Sequence, residues 1–377
     1  MKTLIVRNTT ALFTAAILLN ACSGNKSLPA GSKATPSLKE IFKDDFSIGT
    51  ALNASQIEGR DKQAAILVPQ QFNMATPENI MKAEVIHPEW NRYDFDLADK
   101  LVDYGRANNI GINAHTLIWH SQLPRFARQI QNVDSFRLFF NEHIKTVAAR
   151  YHGKVFSWDV VNEALNEDGS MRKSIFLDKL GDGFVTDAFR LAAEASPGTE
   201  LYYNDYNNEQ PAKRAGCITL IKKIQAAGVR IDGVGIQGHW HLGKLPLKDI
   251  EQSILEYSAL GLKVMFTELD IEVLPRNFQG ADVSQRMKST PETNPYPGGL
   301  PDSVQQLLAD DYEALFRLFL KHRDKITRVT FWGVDDGQSW LNGWPVPGRT
   351  NYPLLFDRNF KPKPAFYKVV ALKQTGK

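Results

Sequence analysis

Cysteine is scarce in this chain: two in 377 residues, Cys22 and Cys217. A disulfide framework is therefore excluded as the main source of stability. Charge of one sign is also scarce. The formal net charge is +3, from 45 basic and 42 acidic side chains, which leaves no electrostatic footprint for nucleic acid. Repeats at a period of roughly 20–50 residues are missing, so a solenoid or propeller is not indicated. No low-complexity tract can be discerned. No glycine-rich phosphate loop follows any apolar run, so an open doubly wound sheet lacks its usual signature.

What remains is ample core material. Hydrophobic residues make up 43% and aromatic residues 10% of the chain. That can fill one large core, and α/β barrels of this size often form a single domain. The first 21 residues read as a targeting segment. Lys2 and Arg7 form a basic start, and Ala11 to Leu19 an apolar stretch too short to span a membrane. Leu19-Asn20-Ala21-Cys22 resembles the lipobox of bacterial lipoprotein signals. That resemblance implies cleavage before Cys22 and lipidation of its thiol, with a plain secretory signal as the alternative. Loss of Lys2 and Arg7 leaves 43 basic and 42 acidic residues, a net charge of about +1. Residues 22–37, rich in Ser, Lys and Gly, read as a flexible tether, and 38–377 as the single folded domain. The expected location is the outer membrane or cell surface, held only by the lipid. The long proline-bearing segment from Ile271 to Val304 exceeds the length at which loops are usually neutral.

Short apolar runs recur between longer amphipathic stretches. The expected strands are Phe46–Leu52, Gln71–Met74, Gly111–Leu117, Val155–Val161, Glu200–Tyr203, Gly233–Gln237, Lys263–Thr267 and Arg328–Trp332. Helical patterns lie between them, among them Ser135–Arg150, Gly183–Ala195, Gln210–Ala227, Leu247–Leu260 and Val304–Arg323. Strand and helix in alternation argue for parallel pairing. Eight such units argue for an α/β fold: a single (β/α)8 TIM barrel, here with an extended loop after strand seven.

In such a barrel the functional face lies at the C-terminal ends of the strands. Polar, charged and aromatic residues collect there. Strand two leads to Glu78, Asn79 and Lys82, strand three to His115, Trp119, His120 and Gln122. Strands four and five lead to Asn162 with Glu163 and to Asn204 with Tyr206. Strand six ends near Gln237 and His239, strand seven near Glu268 and Asp270, strand eight near Trp332 and Trp340. Two apolar strands that each finish on a glutamate, Glu163 and Glu268, suggest two carboxyl groups meeting over one bond. That is what glycoside hydrolysis needs. A plainer reading exists for Thr76-Pro77-Glu78, which has the form of a helix start with an N-cap, a proline at N1 and an early acid.

Seven segments in order resemble glycoside hydrolase family 10, the endo-1,4-β-xylanases. They are Phe72-Asn73 with Thr76–Lys82, His115–Pro124, Trp158–Ala164, Tyr203–Asn207, Gly235–His239, Thr267–Asp270 and Thr330–Val334. The resemblance implies net retention, with Glu268 as nucleophile and Glu163 as proton donor and then base. Retention needs the two carboxyls roughly 5–5.5 Å apart. By the same resemblance His239 and Asp270 support the nucleophile, and Asn162 meets the sugar 2-hydroxyl. Glu78, Asn79, Lys82, His115, Trp119, Gln122, Asn204, Tyr206, Gln237, Trp332 and Trp340 are expected to bind sugar. The substrate is xylan or xylo-oligosaccharide, with Trp340 crowding the hydroxymethyl group of glucose. Ionised Glu268 is expected to keep Glu163 protonated. A monomer is expected, with no metal and no cofactor.

Three rivals stay open on sequence alone. His115, His120 and His239 could ligate a metal, although they sit among Trp, Gln and Asn. The chain could be a glycan-binding lipoprotein on an inactive scaffold, which the presence of both glutamates opposes. It could also be a β-1,4-glucanase of the same barrel type, which Trp340 disfavours.

Overall fold

The structure is a computed structural model that describes Met1, residues 35–278 and residues 280–374. The chain divides into two units, Met1–Thr35 and Pro36–Lys377, and the barrel belongs wholly to the second. Residues 2–34, which include the expected targeting segment after Met1, Cys22 and most of the expected tether, lie outside the described residues.

Nine strands occur among the described residues: β1 Ser47–Leu52, β2 Met74–Pro77, β3 Gly111–Trp119, β4 Ser157–Asn162, β5 Glu200–Asp205, β6 Gly233–Ile236, β7 His239–His241, β8 Lys263–Glu272 and β9 Ile326–Phe331. All pair in parallel. The order runs β6-β5-β4-β3-β2-β1-β9-β8, and a β6–β8 pairing closes the ring. Eight strands thus make the expected (β/α)8 barrel, and β7 adds a short flap on the upper half of β8.

The strands are apolar because both faces are covered. Outward residues such as Val234, Ile236 and Val264 are fully buried beneath helices, as parallel sheets require. The inside of the barrel is polar instead. Arg328 lies within it, donating to Ser157 Oγ at 3.2 Å. Ser157 donates to Asn113 at 2.6 Å, and Asn113 donates to Asp159 at 3.0 Å. Asp159 then meets His115 Nδ1 at 2.9 Å. This ladder of buried, hydrogen-bonded polar groups leads from the barrel interior to its C-terminal mouth.

Strand two departs from its expected position. Gln71 is the last residue of a helix, Lys62–Gln71, started by an Asp61 cap on the amides of Gln63 and Ala64. Its side chain then accepts from the Leu38 amide and donates to the Pro36 carbonyl. The strand starts three residues later, at Met74. Pro77 ends that strand and does not open a helix. Glu78 extends the strand's path by donating its amide to the Leu52 carbonyl at 2.9 Å. The next helix, Ala83–Ile86, begins only after Lys82. The Thr76-Pro77-Glu78 pattern of a helix start is therefore overruled by pairing with β1.

The long segment after β8 holds a short 3-10 turn, Pro291–Thr293. It is fastened at several points. Arg276 and Arg349 both meet buried Glu272, Arg276 at 3.1 Å. Tyr352 donates to the Tyr296 carbonyl at 2.7 Å, and Thr350 to Asn294 at 3.0 Å.

Candidate active site

The C-terminal mouth holds a cavity of about 150 Å³. Glu78, Asn79, Lys82, His115, Trp119, Gln122, Asn162, Glu163, Gln237, His239, Glu268, Trp332 and Trp340 all line it. Ala281 and Val283 join them from the long segment. Asp270, Asn204 and Tyr206 stand behind this lining.

Asn162 and Glu163 would point to opposite faces of a regular strand. The chain bends between them instead. Glu163 takes a left-handed backbone, φ +57°, uncommon for a residue with a side chain. The turn brings both into the cavity, where Asn162 Nδ2 lies 3.3 Å from Glu163 Oε1. Gln237 donates to the same oxygen at 3.1 Å, and Trp119 Nε1 to Oε2 at 2.9 Å. All three partners are neutral.

Glu268 has different company. His239 Nε2 lies 3.1 Å from Oε2, and Asn204 donates to Oε1 at 2.8 Å. His239 Nδ1 is 2.9 Å from Asp270, whose other oxygen accepts from Trp340 Nε1 at 2.8 Å. Trp340 stacks on Trp344 with ring centres 4.5 Å apart, and the Arg276 guanidinium covers Trp344 at 4.8 Å. The segment after β8 therefore anchors the indole that holds Asp270.

These surroundings push the two carboxyls apart. Burial raises the Glu163 pKa above the ordinary carboxylate value. Gln237, Trp119 and the charge of Arg172 pull it partly back, and the charge of Glu268 adds to the rise. Burial also opposes ionisation of Glu268. There it is overcome by the His239 hydrogen bond, the fields of His115 and His239, and Asn204, so the pKa falls. The ranking differs from expectation: burial, more than the neighbouring charge, raises the Glu163 pKa. His239 is raised to about 10, since the charges and hydrogen bonds of Asp270 and Glu268 outweigh its burial. It is a cation held between two carboxylates.

Glu78, Asn79, Lys82 and Gln122 form a polar corner. Lys82 donates to Asn79 and Gln122, each at 2.9 Å, and lies 4.7 Å from the Trp119 ring centre. Burial lowers its pKa, while Glu268, Glu78 and Glu163 draw it back up. Asn204 is fully buried and bridges Glu268 to Asn162. Tyr206 is covered by Lys213, 3.8 Å above its ring, and its hydroxyl accepts from Arg172 at 2.6 Å. His120 borders a second cavity of about 640 Å³ beside Arg128, Arg172 and Asp282, and burial lowers its pKa to about 4.

Several contributors carry weak sequence signals. Asp159 lies at even spacing from Ser157, so strand parity points it inward. Arg172 sits in a loop with no pattern to mark it. His239 and His241 show the i, i+2 spacing of a metal pair, yet their rings serve different partners. His241 Nε2 accepts from Arg276 at 2.5 Å, and burial holds its pKa at about 3. Among the described residues no group of three His, Cys, Asp or Glu could hold a metal ion.

Two buried carboxyls of opposite protonation bias, at the C-terminal mouth of a (β/α)8 barrel, define a glycoside hydrolase. Comparison with known proteins narrows the class. The glycosyl hydrolase family 10 profile matches residues 37–372. The chain is 42% identical to an endo-1,4-β-xylanase A of Xylanibacter ruminicola, over 94% of this chain and 99% of that one. It is 40% identical to a β-1,4-xylanase of Dictyoglomus thermophilum, covering 94% and 96%. Among solved structures, an endoxylanase retrieved from sugarcane soil metagenome superposes with a TM-score of 0.86 at 42% identity, over 89% of this chain and all of that one. This protein belongs to glycosyl hydrolase family 10.

Proposed function

We propose that the protein is an endo-1,4-β-xylanase that cuts internal β-1,4-xylosidic bonds of xylan with net retention. The observation that carries this reading is the opposed bias of Glu163 and Glu268 in one cavity. Glu268, ionised, attacks the anomeric carbon, while protonated Glu163 delivers its proton to the departing glycosidic oxygen. The C–O bond breaks and a glycosyl ester forms on Glu268. Glu163, now a carboxylate, takes a proton from water, whose oxygen attacks the same carbon and releases Glu268. His239 holds the nucleophile ionised, and Asp270 with Trp340 holds His239. Every step uses protein side chains and water.

Trp332 and Trp340 offer apolar surface to a pyranose face. Glu78, Asn79, Lys82 and Gln122 offer hydrogen bonds to its hydroxyls. Endo-xylanase names among relatives at 40–42% identity support xylose over glucose. The enzyme acts as a monomer, exported through the first 21 residues and anchored by a lipid on Cys22. Products from glucuronoxylan, arabinoxylan and carboxymethylcellulose test the substrate, with Glu268→Ala as control. Release of xylo-oligosaccharides first seen by NMR as β anomers supports the reading. Preference for carboxymethylcellulose, or α products, overturns it. Loss of labelled palmitate in Cys22→Ser tests the anchor.

A further inference from the structure

The left-handed turn at Glu163 needs something to hold it. A non-glycine residue in this region is strained and persists only where its surroundings fix it. Two amides do the fixing. The Glu163 N–H donates to the Asn204 carbonyl at 2.9 Å, a backbone bond that any sequence could make. The next N–H, that of Ala164, donates to a side chain, the Tyr203 hydroxyl, at 3.1 Å. Tyr203 in turn donates to Asp205 Oδ2 at 2.5 Å. Asp205 Oδ1 lies 2.9 Å from Lys213 Nζ, and Lys213 is 3.2 Å from Glu167. Tyr203, Asp205 and Lys213 are fully buried.

Strand alternation separates this chain of groups from the cleft. Asn204 points in, toward Glu268. Tyr203 and Asp205 point out, toward the helix Pro211–Ala226 that carries Lys213. None of the three lines the cavity.

We infer that Tyr203, locked by Asp205 and Lys213, is a positioning residue that sets the carboxyl of the acid/base Glu163 through the Ala164 amide. The inference rests on the assignment of Glu163 as acid/base. A phenol that donates to a carboxylate has its oxygen free to accept, and its direction is fixed by that donation. A hydrogen bond in the low-dielectric wall of a barrel is costly to leave unmade. Loss of the hydroxyl therefore frees the turn while leaving Glu268 and its partners in place.

Leaving-group dependence separates positioning from general damage. In Tyr203→Phe, hydrolysis of xylotetraose, whose leaving alcohol needs the proton, should fall about 10-fold or more in kcat/KM. Hydrolysis of a dinitrophenyl β-xylobioside, whose phenolate leaves unaided, should keep its kcat/KM within about twofold. The Glu163 carboxyl, followed by 13C NMR in the free enzyme, should titrate lower as water reaches it. Equal losses on the two substrates, or no change in either ratio or titration, would overturn the inference. Lys213→Gln provides the same readouts if Tyr203→Phe lowers Tm too far. Wild-type turnover of both substrates tests the xylanase reading separately, since the NMR titration needs no substrate.

Discussion

The walls around Glu163 and around Glu268 are built from different chemistry. Around Glu163 the donors are an indole, two amides and no cation in direct contact. Around Glu268 an imidazole lies against the carboxylate, backed by Asp270. Both carboxyls are about equally buried, 5% and 6% exposed. Burial alone would protonate both. The His239 imidazole, helped by the field of His115 and the Asn204 amide, separates them, and the division of labour between acid and nucleophile follows.

Removal of the nucleophile breaks the comparison most completely. Glu268→Ala should lower kcat on xylan by on the order of 10⁴- to 10⁶-fold, seen as lost reducing-end release. Glu163→Gln comes next. It should cost roughly 10²- to 10⁴-fold on xylan, while dinitrophenyl β-xylobioside keeps a burst of phenolate as the glycosyl ester accumulates. Absence of that burst would reassign Glu163. His239→Asn removes the group that distinguishes the two sites. A hydrogen bond to a charged group is worth about 1.5–3 kcal/mol, so kcat/KM should fall roughly 10- to 150-fold. The Glu268 pKa rises without its partner, so the acid limb of the pH profile should move to higher pH. A limb that stays in place would show that His239 does not hold the charge.

Two smaller effects sharpen the picture. Trp340→Ala should reduce preference for xylose over glucose oligosaccharides by about 10-fold or more, since one carbon's worth of pocket discriminates by roughly 10- to 200-fold. His239 also links pH to stability. It keeps its proton to about pH 10 when folded, against 6.5 as the ordinary value. Its contribution is complete below pH 6.5 and is lost as pH rises through 10. Wild-type Tm should therefore fall more than that of His239→Asn across this window.

The barrel was legible because each strand is a short apolar run capped by a polar end. Seven expected strands overlap the observed ones over most of their length, and the second meets its strand only at Met74. The second slid because Gln71 is claimed by side-chain bonds to Leu38 and Pro36, which no local pattern announces. The cavity-lining residues were legible because strand ends converge at one mouth. Arg172, Trp344 and Tyr203 were not, since each matters only through a partner distant in sequence. The loop after Glu268 was visible as an anomaly of length. Its part in holding Trp340 through Arg276 and Trp344 was not.

The amino-acid sequence by itself determined the repeating strand and helix, the two glutamates, and the family to which they belong, because these reside in local pattern and order. Tertiary structure decided that the pKa of Glu163 is raised and that of Glu268 lowered. That depends on burial and on whether a cation or a neutral donor stands about 3 Å away. It also decided that Asn162 and Glu163 face the same way, because the left-handed turn between them is held by groups contributed from β5.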